Sequence, residues 1–103
     1  MFDLSDKLDK LVEKYHKLNK TISDPEVIND TDRYQELLKK HAKMKKIVDK
    51  YQEYKEVMNG IEEAELMLEE EDDEEVKELA EMELEELEPK RDRLEKELPL
   101  MLI

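Results

Sequence analysis

The chain has no cysteine and no tryptophan, and it has one glycine and three prolines in 103 residues. Without cysteine there are no disulfides, zinc-thiolate sites, iron–sulfur clusters or cysteine nucleophile. A lone glycine, Gly60, excludes every multi-glycine phosphate loop, including the dinucleotide-binding and P-loop types. The longest unbroken apolar run is Leu100–Ile103, far too short to cross a bilayer. Residues 1–20 carry a charge every few positions, so no secretory h-region is present and the expected compartment is the cytoplasm. Aromatic residues make up only 5%, one Phe and four Tyr, so little can be buried per residue. What fills the chain instead is charge, at 48% of residues. A composition dominated by Glu, Leu and Lys points to long helices or a coiled coil.

The net charge of −13 is unevenly placed. Residues 1–60 hold 13 Lys+Arg against 12 Asp+Glu, whereas residues 61–103 hold 5 against 19. Between Glu62 and Glu88 there are 16 acids and one base, Lys77. Such a chain is repelled by phosphate backbones, so DNA is not an expected partner. The exception is local. Lys39, Lys40, His41, Lys43, Lys45 and Lys46 form a basic cluster able to meet a phosphate or an acidic partner.

Three helices are expected, at about 3–20, 31–70 and 74–98, forming an all-α, elongated antiparallel three-helix bundle with a long coiled-coil-like hairpin. In the first, Leu4, Leu8, Leu11, Tyr15, Leu18 and Ile22 recur at alternating steps of four and three, with Asp3, Asp6 and Asp9 near its positive end. Pro25 should end it, because the residue before proline is pushed out of helical geometry. Asn29–Asp32 then supply turn and N-cap chemistry, and Val27 and Ile28 tuck under the bundle. In the second, Met44, Ile47, Tyr51, Tyr54, Met58, Ile61 and Leu68 keep one heptad register, with Glu65 at the skipped position. That register runs through Gly60, which predicts one uninterrupted helix rather than a turn, roughly 60 Å long. Seven consecutive acids, Glu69–Glu75, favour a reversal. The third helix carries Val76, Leu79, Ala80, Leu84, Leu87, Leu94 and Leu98, with a kink expected near Pro89 and an end at Pro99.

Nothing in this pattern carries catalytic chemistry. His16 and His41 lack partners at ligand spacing; His41 falls on the apolar stripe and reads as packed, His16 as surface. A solvated glutamate face supplies no pocket in which two carboxylates could be held in different protonation states. The run Glu69–Glu75 lacks the ligand spacing of a calcium loop. No catalytic residue, cofactor or metal is expected. The stripe Lys39, Lys43, Lys46 and Lys50, with Lys40 beside it, has two readings that stay open: a solvated face turned toward the acidic helix, or a contact for RNA or a partner protein.

The opening Met1-Phe2-Asp3-Leu4, the run Leu8-Asp9-Lys10-Leu11, the segment Ile22-Ser23-Asp24-Pro25-Glu26-Val27-Ile28-Asn29-Asp30, then Tyr51–Val57 and Ala64–Leu68, resemble in order and spacing the N-terminal helical domain of the bacterial peptide chain release factor 1 family, a class I release factor. The Val27-Ile28 form is more similar to the factor for UAA and UAG than to its sister for UAA and UGA. The family's Gly-Gly-Gln tripeptide is absent, since Gly60 is followed by Ile61. Its Pro-x-Thr tripeptide is absent too: Pro25, Pro89 and Pro99 are followed two places on by Val27, Arg91 and Met101. The resemblance therefore implies a single non-enzymatic helical domain, residues 1–103, of a longer factor acting in translation termination. It implies docking toward the ribosomal stalk base, its RNA and protein, and interplay with the GTPase release factor. As one domain of a longer factor, the chain is expected to leave Leu100–Ile103 uncovered and to self-associate when isolated. Two other classes fit the residues alone: a free-standing helical-hairpin adaptor or chaperone, and an acidic nucleic-acid mimic suggested by Glu62–Glu88.

Overall fold

The computed structural model describes residues 4–103. It contains four helices, α1 (Ser5–Thr21), α2 (Pro25–Asn29), α3 (Thr31–Glu70) and α4 (Glu74–Met101), and no strand among the described residues. The all-α fold follows from the composition; the expected start of the first helix at residue 3, with Asp3, lies outside the described residues. The chain divides into two compact units, Met1–Tyr51 and Gln52–Ile103, and α3 supplies residues to both.

In the first unit the seam of α1 is inward. Leu8 and Leu18 are buried, and Leu4, Leu11, Tyr15 and Ile22 are half-buried. α1 stops at Thr21, where the Thr21 hydroxyl donates to the Lys17 carbonyl (3.1 Å) and the Ser23 hydroxyl to that of Asn19 (2.9 Å). The second satisfies a carbonyl that the helix end leaves without its usual partner, since the Ser23 N–H goes to Lys20 instead. Pro25 has a second use beyond the expected stop. Asp24, held extended before it (ψ 124°), caps a new short helix by accepting the Glu26 N–H at 3.0 Å, with Pro25 in the first turn. α2 was not legible as a helix because its five residues are too few to show a period. It buries Val27 (3% exposed) and leaves Ile28 out (44%), so only one of the two residues expected to tuck under does so.

α3 runs Thr31–Glu70 without a break, as the register through Gly60 predicts. Its pairing with α1 is antiparallel. His41 bonds Asn19 (2.6 Å) while Tyr51, ten residues on, bonds Asp9, ten residues back.

In the second unit Tyr54, Val57, Ile61 and Ala64 of α3 are buried, and so are Ala80, Leu94 and Leu98 of α4. The inward stripe is thus Tyr54, Val57, Ile61, Ala64 and Leu68. The expected register placed Met58 and Glu65 at the intermediate steps; Met58 is half-buried and Glu65 is exposed. Small residues decide the difference. Gly60, Ala64 and Ala80 let the two helices come close, and a Cβ on Gly60 would lie 2.8 Å from Leu87 Cδ1. The pairs Gly60–Leu87 and Tyr54–Glu95 run in opposite senses along α3 and α4, so this pairing is also antiparallel. Between them Glu71–Asp73 turn the chain, and Asp73 caps α4 by accepting the Glu75 N–H at 2.9 Å. α4 passes through Pro89 and, against expectation, through Pro99 to Met101. Proline costs a helix its bond to the carbonyl four residues back. So near the C-terminal end, Pro99 leaves only one carbonyl short. Leu79, expected on the inner face, is 63% exposed.

Candidate functional site

The basic stripe lies on the part of α3 that belongs to the first unit. Lys39, Lys40, Lys43 and Lys46 are exposed and Lys50 is half-buried. The spacing 39, 43, 46, 50 holds them on one side of the helix over roughly 16 Å. Among the described residues, none of Lys39, Lys40, Lys43 and Lys46 is tied to a carboxylate. Lys45 differs. It donates to Asp49 at 2.7 Å, and that hydrogen bond and the Asp49 charge raise its pKa above the ordinary lysine value. The helix surface therefore presents a row of untethered ammonium groups next to one that is already balanced.

The face of α3 turned to α1 is held by polar contacts. The Tyr51 hydroxyl donates to the Asp9 carboxylate at 2.6 Å, and Tyr51 is 1% exposed. His41 Nε2 lies 2.6 Å from Asn19 Oδ1 and its ring stacks on Tyr15, centroids 4.9 Å apart. His41 is therefore a packed side chain, as its place on the apolar stripe predicts, and it fixes which side of α3 turns away from α1. His16 is exposed. In the second unit the Tyr54 hydroxyl donates to Glu95 at 2.8 Å. Burial first, then that hydrogen bond and the Glu95 charge, push the Tyr54 phenol well above the ordinary tyrosine range. Both tyrosine–carboxylate pairs join residues about forty positions apart, and no local signal in the sequence marks them.

No group of three or more His, Asp or Glu among the described residues is arranged to hold a metal ion. No helix among them is long and apolar enough to cross a membrane. What the surface can offer is charge recognition: a basic row on one unit and acid-rich helices on the other.

The described residues form an all-helical fold with charged surfaces and polar contacts between helices. Residues 11–103 match the PCRF domain, and the chain belongs to that family. It is 48% identical over 98 residues to peptide chain release factor 1 of Carboxydothermus hydrogenoformans, covering 95% of this chain and 27% of that protein. It is 46% identical over 97 residues to peptide chain release factor 1 of Clostridioides difficile and 43% identical over 97 residues to that of Desulfitobacterium hafniense, in each case 94% of this chain and 27% of the relative. The chain thus spans about a quarter of the length of these relatives. No solved structure matches it.

Proposed function

We propose that this chain is the non-catalytic N-terminal helical domain of a bacterial release factor for UAA and UAG, acting in translation termination in the cytoplasm. In this reading it docks toward the ribosomal stalk base and affects interplay with the GTPase release factor. The observation that carries the proposal is the PCRF match over residues 11–103, together with near-complete coverage of this chain by proteins called peptide chain release factor 1. The family-like segment Ser23–Val27 has a physical part in the fold, since it supplies a cap, a first-turn proline and a buried anchor for α2. The residues supply binding and no chemistry, since neither tripeptide used by the family for hydrolysis or codon reading occurs here.

The contact surface in this proposal is the row Lys39, Lys40, Lys43, Lys46 and Lys50, directed at ribosomal RNA phosphates or an acidic protein face. Each phosphate contact contributes about one unit to the slope of log K against log salt. Replacing Lys39, Lys40, Lys43 and Lys46 by Gln is expected to weaken binding of the isolated chain to ribosomes at low salt and to flatten that slope by about three to four units. Because the four side chains are exposed, the helical circular dichroism should be unchanged. Equal binding and equal slopes for both proteins would remove the stripe from the proposal. Normal termination by a full-length factor lacking this domain would remove the docking role itself. The exposed Leu100 (68%) and Ile103 (99%) support self-association of the isolated chain, which sedimentation over a concentration series would register.

A further inference from the structure

The second unit holds an open groove of about 330 Å³ along the α3–α4 seam. Gly60, Ala64 and Ala80 form its floor, Met67 and Leu79 its apolar walls, and Glu63 and Glu83 its charged rim. The groove exists because the floor residues are small. Two helices that approach closely on glycine and alanine leave a furrow where larger side chains would have met. Its walls are unusually open to solvent for large apolar groups: Met67 is 43% exposed and Leu79 63%. Two such side chains lining one furrow give it an exposed apolar surface of the kind that marks an interaction site. Methionine, being flexible and polarisable, suits a wall that must fit a partner's side chains.

The geometry points to a docking groove for a basic amphipathic helix of a protein partner, a site that goes beyond the ribosome reading and does not depend on the lysine row. Charge complementarity selects the occupant. The segment Glu62–Glu88 that builds the groove carries 16 acids and one base, so its field repels nucleic acid and anionic lipid and attracts Lys and Arg. The α3 side of the groove, from Gly60 to Met67, is about two helical turns long. Two turns of a partner helix would set apolar side chains at i, i+3 or i+4 and i+7 into it. Lysines or arginines flanking that stripe would then face Glu63 and Glu83.

The chain's own methionines report on this. With methyl-13C methionine, Met67 reads the groove, Met82 an exposed position of α4 outside its lining, Met44 the core of the first unit, and Met101 the last turn of α4. The probe is an 18-residue helical peptide of Leu and Lys with one apolar stripe; its control has Glu in place of Lys. The expected result is saturable movement of the Met67 methyl with the Lys peptide, none with the Glu peptide, and a still Met44. Leu79→Ser should weaken binding about tenfold through lost apolar burial, and the double variant Glu63→Gln, Glu83→Gln several-fold, with salt dependence reduced. Both rim glutamates are exposed, so the second variant tests the groove even if the first perturbs folding. Equal binding of the two peptides, a response at Met101 instead of Met67, or binding unaffected by the rim variant would overturn the proposal. Movement of Met67 on simple concentration of the protein would assign the groove to a second copy and overturn it as well.

Discussion

Gly60 sits in the middle of a 40-residue helix, where glycine is a poor choice, and its backbone has no positive φ to justify it. On propensity alone, Gly60→Ala should stabilise the protein by about 1 kcal/mol. The structure supplies the opposing effect. The added Cβ meets Leu87 Cδ1 at 2.8 Å, roughly 0.7 Å inside ordinary carbon–carbon contact. The next nearest atom is Leu87 Cγ at 4.0 Å, and no backbone atom of α4 is close. Relief therefore needs only the far end of one half-buried leucine to turn, at about 0.5–1.5 kcal/mol if it leaves its rotamer. The two effects nearly cancel, so Gly60→Ala is expected to change stability by less than about 0.5 kcal/mol. A double-mutant cycle separates them. Leu87→Ala alone should cost about 1–2 kcal/mol for a half-buried leucine, and in that background Gly60→Ala should deliver its full gain of about 1 kcal/mol. The coupling between the sites is then about 0.5–1.5 kcal/mol. Urea unfolding followed at 222 nm, with four proteins and a shared slope, measures it. If Gly60→Ala gave the same change with and without Leu87, the close approach would not be what glycine provides here, and the packing argument for Gly60 would be refuted.

Tyr54→Phe should cost about 1–2 kcal/mol at neutral pH, because the hydroxyl donates to the Glu95 carboxylate from a site that is 1% exposed. The Tyr54 phenol is raised in the folded state, above an unfolded value of about 10; its contribution is complete below pH 10 and is lost as pH climbs from there toward the folded value. Urea midpoints between pH 8 and 11 should therefore fall more steeply for the parent than for Tyr54→Phe, and parallel curves would contradict the assignment. Asp24→Ala should lower stability by about 1 kcal/mol through loss of the α2 cap. Asp24→Asn, which still accepts the Glu26 N–H, should retain most of it, and equal losses in the two variants would show that charge rather than capping is at work there.

Much of the fold was legible because long helices write their period into the sequence. The α1 seam from Leu4 to Ile22 and the span Thr31–Glu70 were readable from spacing alone, and so was the reversal in the acidic run. The inner stripe past Tyr54 was harder. Two registers fit the apolar residues, one through Met58 and Glu65, the other through Val57 and Ala64. Both keep steps of three and four, and it is helix proximity that chooses; proximity depends on Gly60 and Ala80, which are silent in an apolar count. Pro99 misled for a related reason. Its ring denies the helix one donor and crowds the carbonyl four residues back, and α4 bears that at Pro99 as it does at Pro89.

The site was legible to a different degree. Clustered lysines are visible in any sequence, yet a stripe on α3 has no direction until something fixes the helix's rotation. Three contacts fix it in the first unit: Tyr51 with Asp9, His41 with Asn19, and His41 with Tyr15. Each pairs residues far apart in sequence, so the folded chain adds to the packed His41 read from spacing the partners that hold it, with Lys39, Lys40, Lys43 and Lys46 exposed. The groove was less legible still. Leu79 looked like a core residue because it keeps helical spacing with its neighbours, and only its 63% exposure shows that the spacing continues on to an outward face. The same small residues that shifted the register of α3 opened that furrow. The sequence signal for both is therefore one signal: glycine and alanine at steps of about four in helices otherwise made of leucine and glutamate.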